Sequence, residues 1–571
     1  MNNTRSRYTL FAALLVFFYG AVSVSSQFPY DEAFLEEAMR NPEYITMFTD
    51  RNMYAVNEQI WFSCFYRPGP ELPKESWSKV LYVELLTPSG SPVTKGKFPL
   101  DESGSSGTLQ IPADAMTGIY YLRSYTRWMQ NFGPRLYSYT PLTIINPYAK
   151  DVLNLNIGSS GDEAERIRMS YPGIKCQANK ASFAPGEEVQ IELGRNGSGD
   201  MPPGEYCLTV VPAGMCDTLN AQLDMANTWV PDDFRFNYLP EIRGVSISGS
   251  VVYVEDQAPA PRARLHFSSP GKQYDYFGTM TDDQGRFVLT IPERTGTQEF
   301  LVACESSGDA KTEIRIDQDF ASDPIPFRAR QFTLSPHEKE LASRMLMNMQ
   351  FSHIYEVKRT SPVPESGKNL SVPFYGNPTT TTRLNEFIKL PTMNEVFVNL
   401  VPDVFVFYKQ GVPYLSIYSP SRNISLYPPL ILIDGIPIFD QQDIFSLDPE
   451  RIEQIEVLND VYVRGGLIFG GMIFITTSQG DMAAVELPEG SYFFDYLALH
   501  PGNIQIPYVP SERIPDTRNT LLWIDRIHLD SDETRTVRFY AASGKGEYHI
   551  LIRGVSSRGD IVCGVGTFRV E

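Results

Sequence analysis

The residue types that most often carry catalysis or bind metals are few in this sequence and widely separated. The 571 residues include six histidines and six cysteines, and none of them falls at the spacing of a zinc site. The sequence has no Gly-x-Ser-x-Gly nucleophile elbow and no Gly-rich phosphate loop ending in Lys-Ser or Lys-Thr. We therefore predict that the protein is not an enzyme and has no catalytic, cofactor-binding or metal-binding residues. The histidines and cysteines are His266, His337, His353, His500, His528, His549, Cys64, Cys176, Cys207, Cys216, Cys304 and Cys563.

The cysteines leave the disulfide pattern open. Cys176, Cys207 and Cys216 lie in one segment, so one disulfide there is compatible with an exported chain. Buried thiols fit the same scatter equally well, because domains of this size do not need disulfides to fold.

An alternation of Tyr and Arg in "YYLRSYTRW" is the best candidate for a binding surface. In a strand, alternate residues point to one face, so Tyr121, Arg123, Tyr125 and Arg127 share a side. Aromatic and guanidinium groups in a row can stack on a sugar or hold an extended peptide. The alternative is an ordinary strand whose polar face is solvated.

The elements that would position such residues are mostly β-strands. The chain has 43 Pro, 41 Gly, 31 Tyr and 34 Phe, a composition typical of many short strands and turns. A net charge of −19 argues against nucleic acid as a partner. We expect several domains from the length alone.

The first residues have the pattern of a secretory signal. Arg5 and Arg7 precede an apolar run at 10–22, and small residues follow at 23–26. The run is short for a membrane span, so we predict a signal peptide at 1–26, although an uncleaved anchor is the alternative. A short helical lead-in at 27–40 follows, and no transmembrane segment is expected after signal removal.

An internal repeat divides the next part of the chain. "TDRNMYAVNEQIWF" at 49–62 matches "ANKASFAPGEEVQI" at 178–191 with a constant offset of 129. Each copy has a short strand, a turn and an alternating strand, which predicts two sandwich domains of one type.

The first copy continues through "LYVELLTPSG" and "GIYYLRSYTRWMQNFG". With "FTDRNMYAVNEQIWF", these segments resemble the macroglobulin-like sandwich (second-domain type) of exported Bacteroidetes-type proteins. The resemblance implies such sandwiches at 41–148 and 171–243. At 244–320, "TMTDDQGRFVLTIP" and the strands before it resemble the carboxypeptidase regulatory-like sandwich, which is a non-catalytic accessory fold.

The later part of the chain predicts a helix, a polar linker and a mixed domain. Ser335 can cap a helix that begins at Pro336, and the helix with its polar linker extends over 335–383. At 384–480, "MNEVFVNLVPDVFVF", "LILIDGIPIF" and the strand after Gly470-Gly471 follow in the order seen in TonB-dependent receptor plugs, and so resemble that domain. The resemblance implies structural turns at Asp434, Gly435, Asp448, Pro449, Gly470 and Gly471. The stretch "VYVRGGLIFG" is bulkier than the family pattern, which argues against close seating in a barrel.

Only 91 residues follow position 480, too few for the roughly 22 strands of a receptor barrel. We interpret residues 505–571 as a last small β-sandwich. The predicted fold class is therefore mainly β: tandem macroglobulin- or Ig-like sandwiches plus a small α+β plug-like domain.

These expectations favour a non-enzymatic exported scaffold that binds an outer-membrane protein or complex on the periplasmic side, with no cofactor and no small-molecule substrate. The alternative is a surface macroglobulin-like protein for adhesion or protease interaction. The only Cys-Gly, at Cys563, lacks the continuation of a thioester, so protease trapping has no chemical basis. A hydrolase with scattered catalytic residues is a third hypothesis, without a nucleophile–base pair to support it.

Overall fold

The computed structural model describes residues 42–68, 77–153, 165–166, 174–195, 203–216, 223–224, 237–269, 274–291, 294–305, 310–326, 328, 331–355, 357–358, 360–362, 373–419, 424, 426–511, 513–531 and 533–571. The predicted signal peptide at 1–26 and the lead-in at 27–40 lie outside these residues. The protein is mainly β, as predicted, with several two-layered sandwiches and one α+β domain.

Eight strands form the first sandwich: β1 (Tyr44–Thr49), β2 (Met53–Ala55), β3 (Gln59–Arg67), β4 (Val80–Leu86), β5 (Pro92–Pro99), β6 (Ser105–Gln110), β7 (Gly118–Tyr125) and β8 (Ser138–Ile145). One sheet has the order β1-β3-β6 and the other β5-β4-β7-β8, with β2 parallel to β8. In β3, Ile60, Phe62 and Cys64 alternate into the core.

The chain then begins a second sandwich but does not finish it. Its strands here are β10 (Ile174–Ala178), β11 (Ser182–Phe183), β12 (Glu188–Arg195) and β13 (Gly204–Pro212). Two short strands, β9 (Glu165–Arg166) and β14 (Leu223–Asp224), extend the larger sheet of the first sandwich beyond β8.

A third sandwich follows, with β15 (Val245–Tyr253), β16 (Arg264–Ser269), β17 (Asp275–Met280), β18 (Arg286–Ile291), β19 (Thr297–Glu305) and β20 (Thr312–Ile316). Its sheets have the orders β18-β15-β20 and β17-β16-β19. Helix α1 (Pro336–Ile354) comes next and begins as predicted, since Ser335 and Glu338 form a capping box. Its buried residues Leu341 and Met345 pack between the first and second sandwiches.

The α+β domain contains β22 (Thr380–Arg383), α2 (Met393–Asn399), β23 (Val404–Lys409), β24 (Val412–Ile417), β25 (Leu430–Ile433), β26 (Ile436–Pro437), α3 (Gln441–Phe445), β27 (Ile452–Leu458), β28 (Tyr462–Arg464), β29 (Leu467–Phe469) and β30 (Met472–Thr477). Its main sheet has the order β22-β27-β30-β25-β26, while β23-β24 and β28-β29 are separate hairpins. A short strand β21 (Thr360–Pro362) precedes the domain.

After the α+β domain the chain adds the remaining strands of the third and second sandwiches. β31 (Tyr492–Leu497) pairs with β19 and completes the third sandwich. β32 (Asn503–Gln505) pairs with β21. The last strands, β33 (Leu522–Leu529), β34 (Arg535–Tyr540), β35 (Gly546–Ser556) and β36 (Ile561–Val570), complete the second sandwich. The α+β domain is thus nested in the third sandwich, which is itself nested in the second.

The first and second sandwiches match strand for strand. The sheets β1-β3-β6 and β5-β4-β7-β8-β2 correspond to β10-β12-β34 and β33-β13-β35-β36-β11. The short loop between β4 and β5 in the first sandwich is replaced in the second by residues 213–521, which separate β13 from β33.

Matching hydrogen bonds between a glutamate side chain and a backbone amide confirm the predicted repeat. The Glu58 carboxylate accepts a hydrogen bond from the Ala55 amide at 2.7 Å, and Glu187 accepts one from Ala184 at 2.9 Å. Both pairs keep the offset of 129 residues. The same side-chain turn therefore holds both copies.

The prediction of separate sandwiches at 171–243 and 505–571 is wrong, because these two segments share one core. β12 pairs with β34, and β13 lies between β33 and β35. Four strands alone would leave their edges unpaired and one side of the core exposed. Local patterns do not show which distant strand covers an edge, so the pairing was invisible in the sequence.

Candidate interaction site

The Tyr and Arg residues predicted as a partner-contact face are buried inside the protein. Tyr121, Arg123, Tyr125 and Arg127 are each at most 5% exposed. The prediction of an external contact at these positions is wrong. Residues after β20 cover this face of β7: Arg123 donates to the Ala321 carbonyl, and the Ala321 amide donates to the Tyr125 hydroxyl. The sequence around β7 does not encode that packing.

Arg123 and Arg127 instead join the first sandwich to the third. Arg123 pairs with Glu84 at 2.6 Å and donates to the Ala321 carbonyl at 2.7 Å. Arg127 donates to the Ser246 carbonyl at 2.8 Å. Burial alone would lower the pKa of Arg123, but the Glu84 carboxylate reverses this and raises it. Both guanidiniums are therefore charged structural links.

The turn predicted at Asp434-Gly435 is present, with positive φ of 48° and 83° as a two-residue hairpin turn requires. Asp434 is buried, and its carboxylate accepts hydrogen bonds from the Thr477 amide (2.9 Å), the Thr477 hydroxyl (2.6 Å) and the Met482 amide (2.9 Å). These three hydrogen bonds hold the end of β30 and the segment that follows it. The arrangement is structural and offers no reacting group.

The other predicted turn residues are also structural and do not converge with Asp434. Asp448 caps the short helix that begins at Pro449, accepting from the Glu450 amide at 3.0 Å. A Cβ on Gly470 would lie 2.3 Å from two carbonyl oxygens, so only glycine fits there. Gly471 has a φ of 88° and lies at the start of β30, opposite the end that Asp434 holds.

The bulky stretch around 461–470 packs against the third sandwich. The β28–β29 hairpin contacts β17, and the Gly466 amide donates to the Gly278 carbonyl at 3.0 Å. Arg464 donates to the Tyr276 carbonyl at 2.9 Å and pairs with Asp275 at 2.8 Å. We call this contact the joint.

Aromatic side chains fill the joint. Tyr276 of the third sandwich packs with Phe469 and Phe374 at centroid distances of 6.1 and 6.4 Å. Tyr274 closes over Gly435, where an added Cβ would lie 2.8 Å from its ring. The joint therefore fixes the α+β domain on the third sandwich through the residues that depart from the plug pattern.

The aromatic residues on the outer face of the β23–β24 hairpin, unlike those of the joint, are exposed. Phe405 and Phe407 are 57% and 46% exposed, and Tyr418 just beyond β24 is 55% exposed. Phe407 stacks on Tyr414 at 5.6 Å, and Phe405 meets Tyr418 edge to face at 6.1 Å. Of the 25 large hydrophobic side chains exposed in the described part of the chain, nine lie within 387–427. We call the surface formed by Phe405, Phe407, Tyr414 and Tyr418 the aromatic hairpin face.

The hairpin also has one open backbone edge. The Tyr418 amide donates to the Asp403 carbonyl at 2.8 Å, so by alternation the backbone groups of Val404, Val406 and Tyr408 point away from β24. The outer edge of β24 is different: Gln441 caps the Leu415 amide at 2.7 Å, and Pro413 has no N–H. Within the described residues, no hydrogen bond occupies the Val406 amide. The open edge is thus on β23.

This hairpin was missed at the sequence level, although a signal was present. In "VFVFYK" the valines at 404 and 406 alternate with Phe405 and Phe407, so both faces of β23 are apolar. Val404 packs into the domain core, while Phe405 and Phe407 remain about half exposed. Apolar residues on both faces of a short strand that is not central in a sheet indicate a second contact surface.

The cysteines are buried thiols. None of the six cysteines, all of which are described, forms a disulfide. Burial raises the pKa of Cys207 to about 12 and that of Cys563 to about 11, which keeps both thiols protonated at neutral pH. The described residues contain no group of three or more His, Cys, Asp or Glu that could hold a metal ion.

Comparisons with known proteins add limited information. No protein-family model matches the sequence, and no curated protein matches it. Among solved structures, α-2-macroglobulin from Salmonella reacted with methylamine has a TM-score of 0.23 and 9% identity over 92% of this chain. Trypsin-activated α-2-macroglobulin from Escherichia coli has a TM-score of 0.23 and 10% identity over 93% of this chain.

Dimeric latent PorU from Porphyromonas gingivalis has a TM-score of 0.15 and 10% identity, covering 48% of this chain and 33% of PorU. The chain spans about two fifths of the macroglobulins' length, 39% of the Salmonella protein and 41% of the E. coli protein. TM-scores this low do not establish a shared fold. No helix among the described residues is both long and apolar enough to cross a membrane.

Proposed function

We propose that the protein is a non-enzymatic, exported scaffold that binds a protein partner at the outer membrane, on its periplasmic side. The observation that carries the proposal is the β23–β24 hairpin, where an open strand edge lies beside the aromatic hairpin face. The partner contributes an extended strand that pairs with β23. This is strand addition, in which backbone bonds supply affinity and side-chain contacts supply specificity.

The rest of the architecture supports this role. The joint fixes the α+β domain, and the Arg123 and Arg127 contacts fix the third sandwich on the first. A rigid support lowers the entropy lost on binding, because the hairpin does not have to be oriented first. The resemblance of the α+β domain to a receptor plug and of residues 1–26 to a secretory signal supports the outer-membrane location.

The experiment is crosslinking and capture of tagged full-length protein from gently solubilised envelopes. Two variants address the site: F405A/F407A removes the aromatic face, and Val406→Pro removes an outward N–H without breaking the β23–β24 ladder. The matched control is V463A/I468A, which truncates two exposed apolar residues on the other hairpin of the same domain.

We expect one outer-membrane protein to crosslink to the native chain and to the control, and at least tenfold less to both hairpin variants. Thermal unfolding must be unchanged in all four proteins. Equal capture by the native chain and the hairpin variants would exclude the hairpin as the site. If no outer-membrane protein crosslinks to the native chain, the proposed function is wrong.

A further inference from the structure

A polar groove lies between the first sandwich and the third, and none of its lining residues belongs to the β23–β24 hairpin. Its volume is about 730 Å³, within the range of sites that hold small ligands. One wall contains Arg127 and Tyr238, and the floor is the outward face of the sheet β18-β15-β20.

The floor is polar because of strand alternation. In β15, Val245, Ile247 and Val251 point into the core, so Ser246, Ser248 and Ser250 point outward. Such a face is ordinarily in contact with bulk water. Here the first sandwich stands opposite, and a row of hydroxyl groups therefore lines a groove.

The centre of the floor is held in place. The Ser248 hydroxyl donates to Asp317 at 2.6 Å and accepts from Arg127 at 2.5 Å. β15 is also hydrogen-bonded on both edges, to β18 and β20. The floor consequently presents side chains rather than a free backbone edge, which disfavours an extended peptide as the ligand.

Four donors in the groove have no partner among the residues that the structure describes. Across the described residues, no hydrogen bond or ion pair engages the side chains of Arg243, Ser250, Arg286 or Thr290, and all four line the groove. Ser250 and Arg286 are cross-strand partners, so their side chains lie side by side. Arg243 and Arg286 are exposed and no described residue pairs with either guanidinium, which favours an anionic group at this place.

The lining therefore combines hydroxyls, guanidiniums, the carboxylates of Asp317 and Asp323, and a half-buried tyrosine ring at Tyr238. Carboxylates and serine hydroxyls accept and donate to sugar hydroxyl groups, while an aromatic ring packs on the apolar face of a pyranose. Guanidiniums pair with carboxylate or sulfate substituents.

We propose that this groove binds an acidic oligosaccharide. The anionic substituents pair with Arg243 and Arg286, and sugar hydroxyls bond to Ser250 and Thr290. The ligand is bound and not converted, because both groove carboxylates are engaged within the protein: Asp317 accepts from the Ser248 hydroxyl and Asp323 from the Tyr137 hydroxyl. The site is independent of the aromatic hairpin.

Calorimetric titration of the full-length protein tests this with three probes: hexagalacturonate for carboxylates, a heparin hexasaccharide for sulfates and cellohexaose as the neutral control. We expect one acidic hexamer to bind, with affinity falling as salt rises, and no binding of cellohexaose. R243A/R286A should weaken binding at least tenfold, and S250A/T290A several-fold. Arg538→Ala, an exposed arginine of the second sandwich, is the matched control and should change nothing.

The two acidic probes separate a carboxylated ligand from a sulfated one. Failure of both to bind would overturn the proposal. So would equal binding of cellohexaose, or unchanged affinity in R243A/R286A with an unaltered melting temperature.

Discussion

The guanidinium of Arg464 lies 2.8 Å from the carboxylate of Asp275 and joins the α+β domain to the third sandwich. Asp275 also pairs with Arg294, so one carboxylate is shared by two cations. Beside this pair the Gly465 backbone approaches the Gly278 carbonyl so closely that a side chain at 465 has no room, and a Cβ on Gly278 would lie 2.7 Å from the Leu467 side chain. The joint is therefore a tight backbone contact that charge pairs surround.

Gly465→Ala should open the joint. The residue has a φ of 62°, and an added Cβ would lie 2.0 Å from the Gly278 carbonyl oxygen. Gly480→Ala is the matched control, because Gly480 has a φ of 66° and nothing within 4 Å of the added atom. We expect the control to lose about 1 kcal/mol of unfolding free energy and Gly465→Ala about 2–4 kcal/mol, measured by denaturant titration. Similar losses of unfolding free energy in both variants would show that the close contact between Gly465 and Gly278 does not stabilise the joint.

Asp434→Ala should destabilise the α+β domain by about 2–4 kcal/mol, because three donors at the end of β30 lose their acceptor. Asp434→Asn should cost less, since an amide keeps one acceptor oxygen and asparagine tolerates positive φ. The comparison variant is Asp440→Asn, whose side chain only caps α3 by accepting from the Gln442 amide at 2.9 Å. A cost for Asp434→Ala no greater than that of Asp440→Asn would contradict a stabilising role for the three hydrogen bonds of Asp434.

Phe568→Ala should loosen both halves of the second sandwich together. Phe568 of β36 packs on Phe183 at 5.5 Å and Tyr548 at 5.4 Å, so its removal should cost about 3–5 kcal/mol. Hydrogen exchange should then accelerate in β12 as well as in β34. Val565→Ala, an exposed position on the same strand, is the control. Loss of protection confined to 521–571 would argue for two independent units.

His266 should make the joint sensitive to acid. Its ring is buried, with Nδ1 2.8 Å from the Tyr276 hydroxyl and the ring 4.8 Å from that of Phe439. Burial lowers the pKa of His266; the Glu305 carboxylate, 3.4 Å from Nε2, opposes this without reversing it, and Arg264 adds to the lowering. The unfolded chain thus takes up a proton more readily, and stability falls as pH drops below about 6.5.

The measurement is the melting temperature from about pH 7.5 to 5. His266→Gln should flatten the acid-side loss. His528→Gln should act in the opposite direction and lower the melting temperature on the acid side. Hydrogen bonding to Glu205 raises the pKa of His528, so its stabilisation is present at low pH and is lost as pH rises. An unchanged pH profile in His266→Gln would refute the role of His266.

Much of the local structure followed from the sequence. The Asp434-Gly435 turn, the Ser335 cap and the repeat at an offset of 129 depend on residues a few positions apart, and all are present. The Pro, Gly, Tyr and Phe composition and the strand-and-turn segments likewise predicted a mainly β chain, which the structure confirms. Such features are determined by backbone geometry and short-range hydrogen bonds, which sequence patterns report directly.

Only the tertiary structure decided what covers each surface. The Tyr and Arg row on β7 reads as an outer face, yet packing of the segment after β20 makes it interior. Residues 505–571 read as a domain of their own, yet β12 and β13 need them as partners. Phe405 and Phe407 were predicted only to lie in a strand, and the structure leaves them 57% and 46% exposed. The reason is the same in each case: burial and edge pairing depend on contacts between residues hundreds of positions apart, which no local pattern records.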